Sequence, residues 1–221
     1  VKVGVTVLQS CSVVDKVQTQ AQPETKVSGH RKRIGLYGGT FNPIHNAHLF
    51  MADQVGHALC LDRVDFLPDA KPPHIDHKDS LDPQLRLQML ELAVADNPFL
   101  GIEHAELERG GVSYTYDTIK YLLDKHPDVD YYFIIGGDMV DYLDKWYRIN
   151  DLIRLPHFHF VGVHRQRAKN ETRYPVIWVD VPTVDFSSTD IRQRVQHGQS
   201  IKYMVPDAVS KFIEEYQLYR E

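Results

Sequence analysis

Two cysteines, Cys11 and Cys60, are all that 221 residues contain. That is too few for a disulfide framework and suits a reducing compartment. No apolar run approaches the roughly 18 residues needed for a membrane-spanning helix, so a membrane role is not expected. Basic residues are not in excess: 25 Lys and Arg stand against 30 Asp and Glu, a formal net charge of −5. A general nucleic-acid binder would show the opposite balance, although a local basic pocket for a nucleotide stays compatible with it. The chain also lacks a Gly-x-Gly-x-x-Gly string, the dinucleotide fingerprint, and no internal repeat occurs.

What is present suits one sizeable domain with an extension. Apolar residues make up 43% of the chain, enough for an ordinary core. Residues 1–30 differ from the rest. Leu8-Gln9-Ser10-Cys11 is a weak match to a lipoprotein cleavage site, but Gly4, Thr6, Gln9, Ser10 and a weak positive start argue against a leader. Asp15 to Gly29 is polar. We read 1–30 as a flexible N-terminal extension and 31–221 as the domain.

From Arg31 onward strands and helices alternate. Strands are expected at Ile34–Tyr37, Val64–Leu67, Leu100–Glu103, Ala105–Leu107, Asp130–Ile135, Phe158–Val163 and Val176–Val179. Helices are expected at Asn46–Leu59, Asp82–Asp96, Tyr116–Asp124, Met139–Lys145, Ser188–Gln196 and Asp207–Tyr216. The helix over 82–96 has Leu85, Met89, Leu92 and Ala93 on one face. Alternation of this kind implies an α/β fold, a parallel sheet with helices on both faces, and places ligands beyond the C-terminal strand ends.

The most chemistry lies in residues 36–50, which read Leu-Tyr-Gly-Gly-Thr-Phe-Asn-Pro-Ile-His-Asn-Ala-His-Leu-Phe. Gly38 and Gly39 let a backbone come close to another group, and Pro43 suits a turn. His45 and His48 share one face if helical. A strand, a glycine turn and a helix N-terminus bearing histidines make a phosphate site. A zinc pair would need a nearby cysteine or carboxylate to complete it, and none is evident. Four further clusters follow predicted strands: Pro68-Asp69-Ala70-Lys71-Pro72-Pro73-His74, Ser113-Tyr114-Thr115, Ile134-Ile135-Gly136-Gly137-Asp138 with Trp146-Tyr147 beyond it, and Phe186-Ser187-Ser188-Thr189-Asp190-Ile191-Arg192. Taken singly, these are a rigid loop, a cap, a turn with a packed aromatic, and hydroxyl caps. In the last, Arg192 one turn after the hydroxyls suits a phosphate.

Together these segments resemble the bacterial nicotinate-nucleotide adenylyltransferases, from about residue 32 to residue 221. The glycine-histidine segment and Ser-Ser-Thr-x-Ile-Arg resemble the wider nucleotidylyltransferase superfamily; Lys71-Pro72-Pro73-His74, Ser113-Tyr114-Thr115 and the Gly-Gly-Asp with its later Trp-Tyr resemble the nicotinate branch. The sequence departs from the usual pattern at Asn42, Ala47 and Asp69-Ala70. The resemblance implies a Rossmann-like doubly wound sheet and transfer of the ATP adenylyl group to nicotinate mononucleotide, giving deamido-NAD and pyrophosphate. It implies catalytic roles for His45, His48 and Arg192. ATP contacts would fall to Gly38, Gly39, Thr40, Phe41, Ile135, Gly136, Asp138, Ser187, Ser188 and Thr189, and mononucleotide contacts to Lys71, Thr115, Trp146 and Tyr147. Mg²⁺ would arrive with ATP rather than in a protein cage. ATP and nicotinate mononucleotide would be the partners, in the cytoplasm, and homo-oligomerisation is left open. Rival readings are a pantetheine-phosphate adenylyltransferase or other superfamily enzyme, a non-catalytic nucleotide-binding regulatory protein, and an NAD-dependent dehydrogenase, the last without its glycine fingerprint.

Overall fold

A computed structural model describes residues 31–71, 81–164, 172–182 and 184–220. The expected extension at 1–30, the Pro72-Pro73-His74 part of the loop and the side chain of Asp138 lie outside the described residues.

Six parallel strands form one sheet in the order β3-β2-β1-β4-β5-β6. They are β1 (Lys32–Gly39), β2 (Arg63–Pro68), β3 (Leu100–Ile102), β4 (Val129–Gly136), β5 (Phe158–Val163) and β6 (Val176–Val179). The central strand β4 shows why they form. In Val-Asp-Tyr-Tyr-Phe-Ile-Ile-Gly, Tyr132 and Ile134 join the core on one side of the sheet, and Tyr131, Phe133 and Ile135 join the core on the other. A strand apolar on both faces belongs in a sheet covered on both.

The helices are α1 (Asn46–Ala58), α2 (Pro83–Val94), α3 (Ala105–Arg109), α4 (Thr115–Lys125), α5 (Gly137–Val140), α6 (Ile149–Leu152), α7 (Ser188–Gln196) and α8 (Asp207–Glu215). Their starts are written locally. Asp82 caps α2, its side chain accepting from the Gln84 N–H, and Pro83 opens the first turn. Ser187 and Asp190 close a reciprocal capping box on α7. From β1 the chain steps to β2 and β3, then returns to lay β4 on the opposite side of β1. The winding therefore reverses between β1 and β4, and the crevice beyond their C-terminal ends is where such a sheet binds ligands. Tyr37 stands opposite Ile134 and Gly38 opposite Leu67, so the ends of β1, β2 and β4 rim that crevice together.

Three expectations need correction. Ala105–Leu107 is not a strand but the start of α3. Ala-Glu-Leu-Glu-Arg is a run of good helix formers, and it stops at Gly110, whose φ of 65° is left-handed. Met139–Lys145 is not one helix. α5 ends at Val140, a 3₁₀ turn covers Leu143–Lys145, and Trp146 is extended, so its ring packs edge-on against Phe133 and Phe160. The buried face of α2 is Arg86, Met89, Leu90 and Ala93, while Leu92 is 39% exposed. An arginine holds the place expected of a leucine because its polar atoms find buried acceptors there.

Candidate functional site

β1 ends at Gly38 and Gly39 against aromatic rings. A Cβ on Gly38 would lie 2.8 Å from Phe133 Cζ, and one on Gly39 3.0 Å from Phe41 Cζ. Packing against these ring tips therefore favours glycine here whether or not a phosphate approaches. Phe41, with a left-handed φ of 49°, turns its ring inward against Tyr37, His48 and Phe66. It is 3% exposed, which leaves its backbone rather than its ring for a ligand. Ile135 is likewise a core side chain.

The loop then turns through a cis Asn42–Pro43 peptide into α1. His45 and His48 come together, though not by sharing a helical face. His45 is the extended N-cap residue, and its Nδ1 accepts the His48 N–H at 3.3 Å. The rings stack with centroids 3.5 Å apart. An accepting Nδ1 puts the imidazole proton on Nε2, making that atom a donor. Burial lowers the His45 pKa to about 4 against a weaker opposing pull from Asp190, so the ring is neutral near pH 7.

α7 is fastened to the same loop. Ser188 Oγ donates to the Pro43 carbonyl at 2.8 Å, and Arg192 Nη1 donates to the Asn42 carbonyl at 2.8 Å. Arg192 Nη2 also donates to Thr189 Oγ1, and Phe186 sets its ring edge-on to His45. Histidines, hydroxyls and guanidinium thus meet where α1 and α7 begin, with the Asp190 carboxylate beside them turned into its own capping box, a setting whose free N–H donors suit an anion.

The remaining residues lie on the segments that follow β2 and β4 and at the start of α4. Lys71 bridges to Val112, its carbonyl accepting from the Ser113 N–H, and the Ala70 N–H donates to Ser113 Oγ. Lys71 is thereby held beside the start of α4, with its side chain exposed. Thr115 opens α4 with no side-chain cap on its N-terminus. Tyr147 packs against Tyr114 at 4.7 Å and Tyr116 at 6.5 Å, and the Arg148 guanidinium sits 4.0 Å from the Tyr116 ring centre. Trp146 reaches the glycine turn through Phe133, the ring that abuts Gly38. Gly136 caps α5. Among the described residues, no group of three or more His, Cys, Asp or Glu stands together as a metal site would.

Sequence reasoning missed two participants. Tyr219 donates to Asn42 Oδ1 at 2.7 Å from the far C-terminus, a contact no local pattern announces. Arg86 lies under the loop; its signal was available, since it stands at i, i+3, i+4, i+7 with Met89, Leu90 and Ala93.

A pH effect follows from His45. Its folded pKa lies below the ordinary 6.5, so between those values the unfolded chain takes up a proton that the native state refuses. Its contribution is complete above about pH 6.5 and is lost as pH falls toward 4. The size is about 3 kcal/mol. Denaturant unfolding at pH 7.5 and pH 4.5 should show His45→Asn, which keeps an N-cap acceptor, losing about 2 kcal/mol less than wild type on acidification. Equal losses would assign the proton uptake to other groups.

The family model described as cytidylyltransferase-like matches residues 36–194. A Lactiplantibacillus plantarum protein named "Probable nicotinate-nucleotide adenylyltransferase" is 51% identical over 208 residues, 94% of this chain and 98% of its own. An Enterococcus faecalis protein of the same name is 56% identical over 191 residues, 86% of each chain. Among solved structures, Plasmodium falciparum nicotinic acid mononucleotide adenylyltransferase complexed with NaAD superposes with a TM-score of 0.70. It is 19% identical and the match covers 85% of this chain and 97% of its own. At that identity the likeness speaks for the fold.

Proposed function

The chain belongs to the nicotinate-nucleotide adenylyltransferase family, within the cytidylyltransferase-like group, and on that premise we propose how the crevice beyond β1 and β4 joins ATP to nicotinate mononucleotide. The reaction transfers the adenylyl group and gives deamido-NAD and pyrophosphate. A mononucleotide phosphate already carries an anionic oxygen, so attack on the α-phosphorus needs no strong general base. What it needs is alignment of the two substrates and donors for the charge that builds on the α-phosphoryl oxygens.

The observation that carries this reading is the stacked His45–His48 pair at the α1 N-terminus, with Arg192 tied to the same loop. His45 Nε2–H and the His48 ring are the donors to the phosphate chain and the α-phosphoryl oxygens. Backbone N–H groups of 38–41 and the Thr189 hydroxyl are the donors to the triphosphate; the hydroxyl protons of Thr40, Ser187 and Ser188 go instead to Asp69, Asp190 and the Pro43 carbonyl, so these three shape the loop rather than bind ATP. Arg192 binds its β- and γ-phosphates. Gly136 and, on the family resemblance, Asp138 are assigned to the adenosine. The donor set around the histidines, imidazole, hydroxyl and guanidinium, suits phosphate oxygens rather than a resident cation; Mg²⁺ bound to ATP would supply neutralisation of part of the phosphate charge. The uncapped start of α4 at Thr115 and the backbone of Tyr147 offer N–H donors to the nicotinate carboxylate, which accepts only, whereas an amide also donates. Lys71 adds charge on that side. We assign the reaction to the cytoplasm, a setting compatible with the exposed thiol of Cys60; no described helix is long and apolar enough to cross a membrane.

A pyrophosphate-release assay with ATP and either nicotinate or nicotinamide mononucleotide tests the reading. Turnover should be clearly faster with the nicotinate substrate, and faster turnover with the amide would overturn the proposed acceptor.

Trp146 supplies a finer test. Its ring is partly exposed beyond the Phe133–Phe160 contact and is offered as the wall of the pyridine pocket. Trp146→Ala should raise the mononucleotide KM about 3–10-fold, the equivalent of roughly 0.5–1.5 kcal/mol of lost stacking, and move the ATP KM less. If the indole only packs, melting temperature falls and the ratio of the two KM values stays at its wild-type figure.

A further inference from the structure

Arg86 is on α2, outside every segment given a role in the site, yet its side chain is 1% exposed. One guanidinium holds three separate stretches of chain. Nη1 donates to the Thr40 carbonyl at 2.6 Å and lies 3.4 Å from Asp69 Oδ1; Nη2 donates to the Asp69 carbonyl at 2.8 Å; Nε donates to the Leu81 carbonyl at 3.2 Å. The second carboxylate oxygen of Asp69 accepts from the Thr40 hydroxyl at 2.7 Å, and the Asp69 N–H donates to the Gly39 carbonyl. Beyond Asp69, the Ala70 N–H is taken by Ser113 Oγ, next to the start of α4. Ser113 in turn reaches the buried Glu106 carboxyl. The end of the phosphate loop and the start of the mononucleotide loop are thus pinned to each other by one buried ion pair.

Stability does not account for a cation in this position. Burying charge is costly, and a buried ion pair replaced by apolar side chains of similar volume often leaves a protein as stable or more so. Methionine or leucine would fill the space on α2, as Met89 and Leu90 do beside it, but would leave the Thr40, Asp69 and Leu81 carbonyls without this donor. What no apolar side chain supplies is a rigid fork with donors aimed at several acceptors at once.

We propose that Arg86, with Asp69, is a positioning residue for adenylyl transfer: it sets the spacing between residues 39–40 and residues 69–71, and so aligns the acceptor phosphate with the α-phosphorus of ATP. The inference rests on the reaction assigned above. A small misplacement of reacting groups can slow a reaction about 100-fold with the chemistry otherwise intact, so the mark of this role is a fall in kcat that exceeds any loss of substrate binding.

The test uses three forms of the full chain: wild type, R86K, and the double variant D69N/R86M, which removes both charges so that neither is buried alone. The asparagine oxygen still accepts from Thr40. Each is measured for melting temperature, for ATP affinity by calorimetry, and for kcat and both KM values. D69N/R86M, in which the Thr40, Asp69 and Leu81 carbonyls lose the arginine donors, should fold and melt about 5–10 °C below wild type, bind ATP within about 3-fold, and turn over at least 10-fold more slowly per folded molecule. R86K, which keeps the charge but not the fork, should recover only part of kcat. A folded D69N/R86M, or a folded R86K, with wild-type kcat overturns the positioning role. So does activity lost only in proportion to folded protein. A wild type that makes no deamido-NAD overturns the reaction assignment and the proposal with it, whereas an active wild type beside an equally active double variant overturns the positioning role alone.

Discussion

His48→Ala should give a folded enzyme whose kcat is lower by about 100-fold or more, with a smaller change in affinity for either nucleotide. The expectation comes from how the ring is held. It stacks on His45 at 3.5 Å and meets Phe41 and Tyr37 edge-on at 5.2 and 5.7 Å. A ring wedged among three others does not reorganise as the reaction proceeds. A donor fixed in advance contributes most where charge grows, and charge grows on the α-phosphoryl oxygens only on the way to the transition state. Loss of one such donor elsewhere costs about 3–4 kcal/mol, hence the 100-fold figure. His48→Gln should restore part of the rate, because an amide N–H can donate from nearby but lacks the stacking that fixes it. If the ring serves only as packing, kcat per folded molecule is unchanged in both variants while the melting temperature drops.

The second large effect concerns Arg192. Its alanine variant should raise the ATP KM about 10–100-fold, since charge-assisted hydrogen bonds are worth roughly 1.5–3 kcal/mol. The guanidinium is held by the Asn42 carbonyl and Thr189 Oγ1, and five N–H donors leave some over for phosphate oxygens. Preset in this way, it loses little freedom when ATP arrives. Arg192→Lys should recover only part of the affinity, for a point charge cannot keep the loop carbonyl and two phosphates in one geometry. The competing account treats Arg192 as a strut between α7 and the loop. A strut removed lowers stability and leaves the ATP KM at its wild-type value, so steady-state kinetics beside a melting curve separates the two.

Much of this molecule could be read from local pattern. The apolar run Tyr131–Ile135 of β4, the Asp82-Pro83 start of α2 and the Ser187–Asp190 box of α7 are written within a few residues each, and each element forms where the pattern places it. The histidine pair was legible as a pair, but its geometry was not. Helical spacing suggested a shared face, whereas His45 stays outside the helix and caps it with Nδ1. What escaped local reading depends on tertiary acceptors. Arg86 sits on an apolar face because Thr40 and Asp69, 46 and 17 positions away, and Leu81 just before α2 present carbonyl oxygens to it. Trp146 leaves its helix because Phe133 and Phe160 on two strands receive the indole. Tyr219 reaches Asn42 across 177 positions of sequence. Such contacts are properties of the folded whole: the helical period of α2 marks Arg86 as facing inward, but no short-range preference names its acceptors or those of Tyr219.

The measurement closest to the central claim follows the phosphorus atoms. ATP labelled at the α-phosphorus is incubated with nicotinate mononucleotide, Mg²⁺ and enzyme, in parallel with ATP labelled at the γ-phosphorus, and the products are separated. Attack at the α-phosphorus should carry the α-label into deamido-NAD and the γ-label into pyrophosphate, one pyrophosphate for each dinucleotide formed. Absence of labelled dinucleotide, or α-label released with the leaving group, would contradict adenylyl transfer at this site.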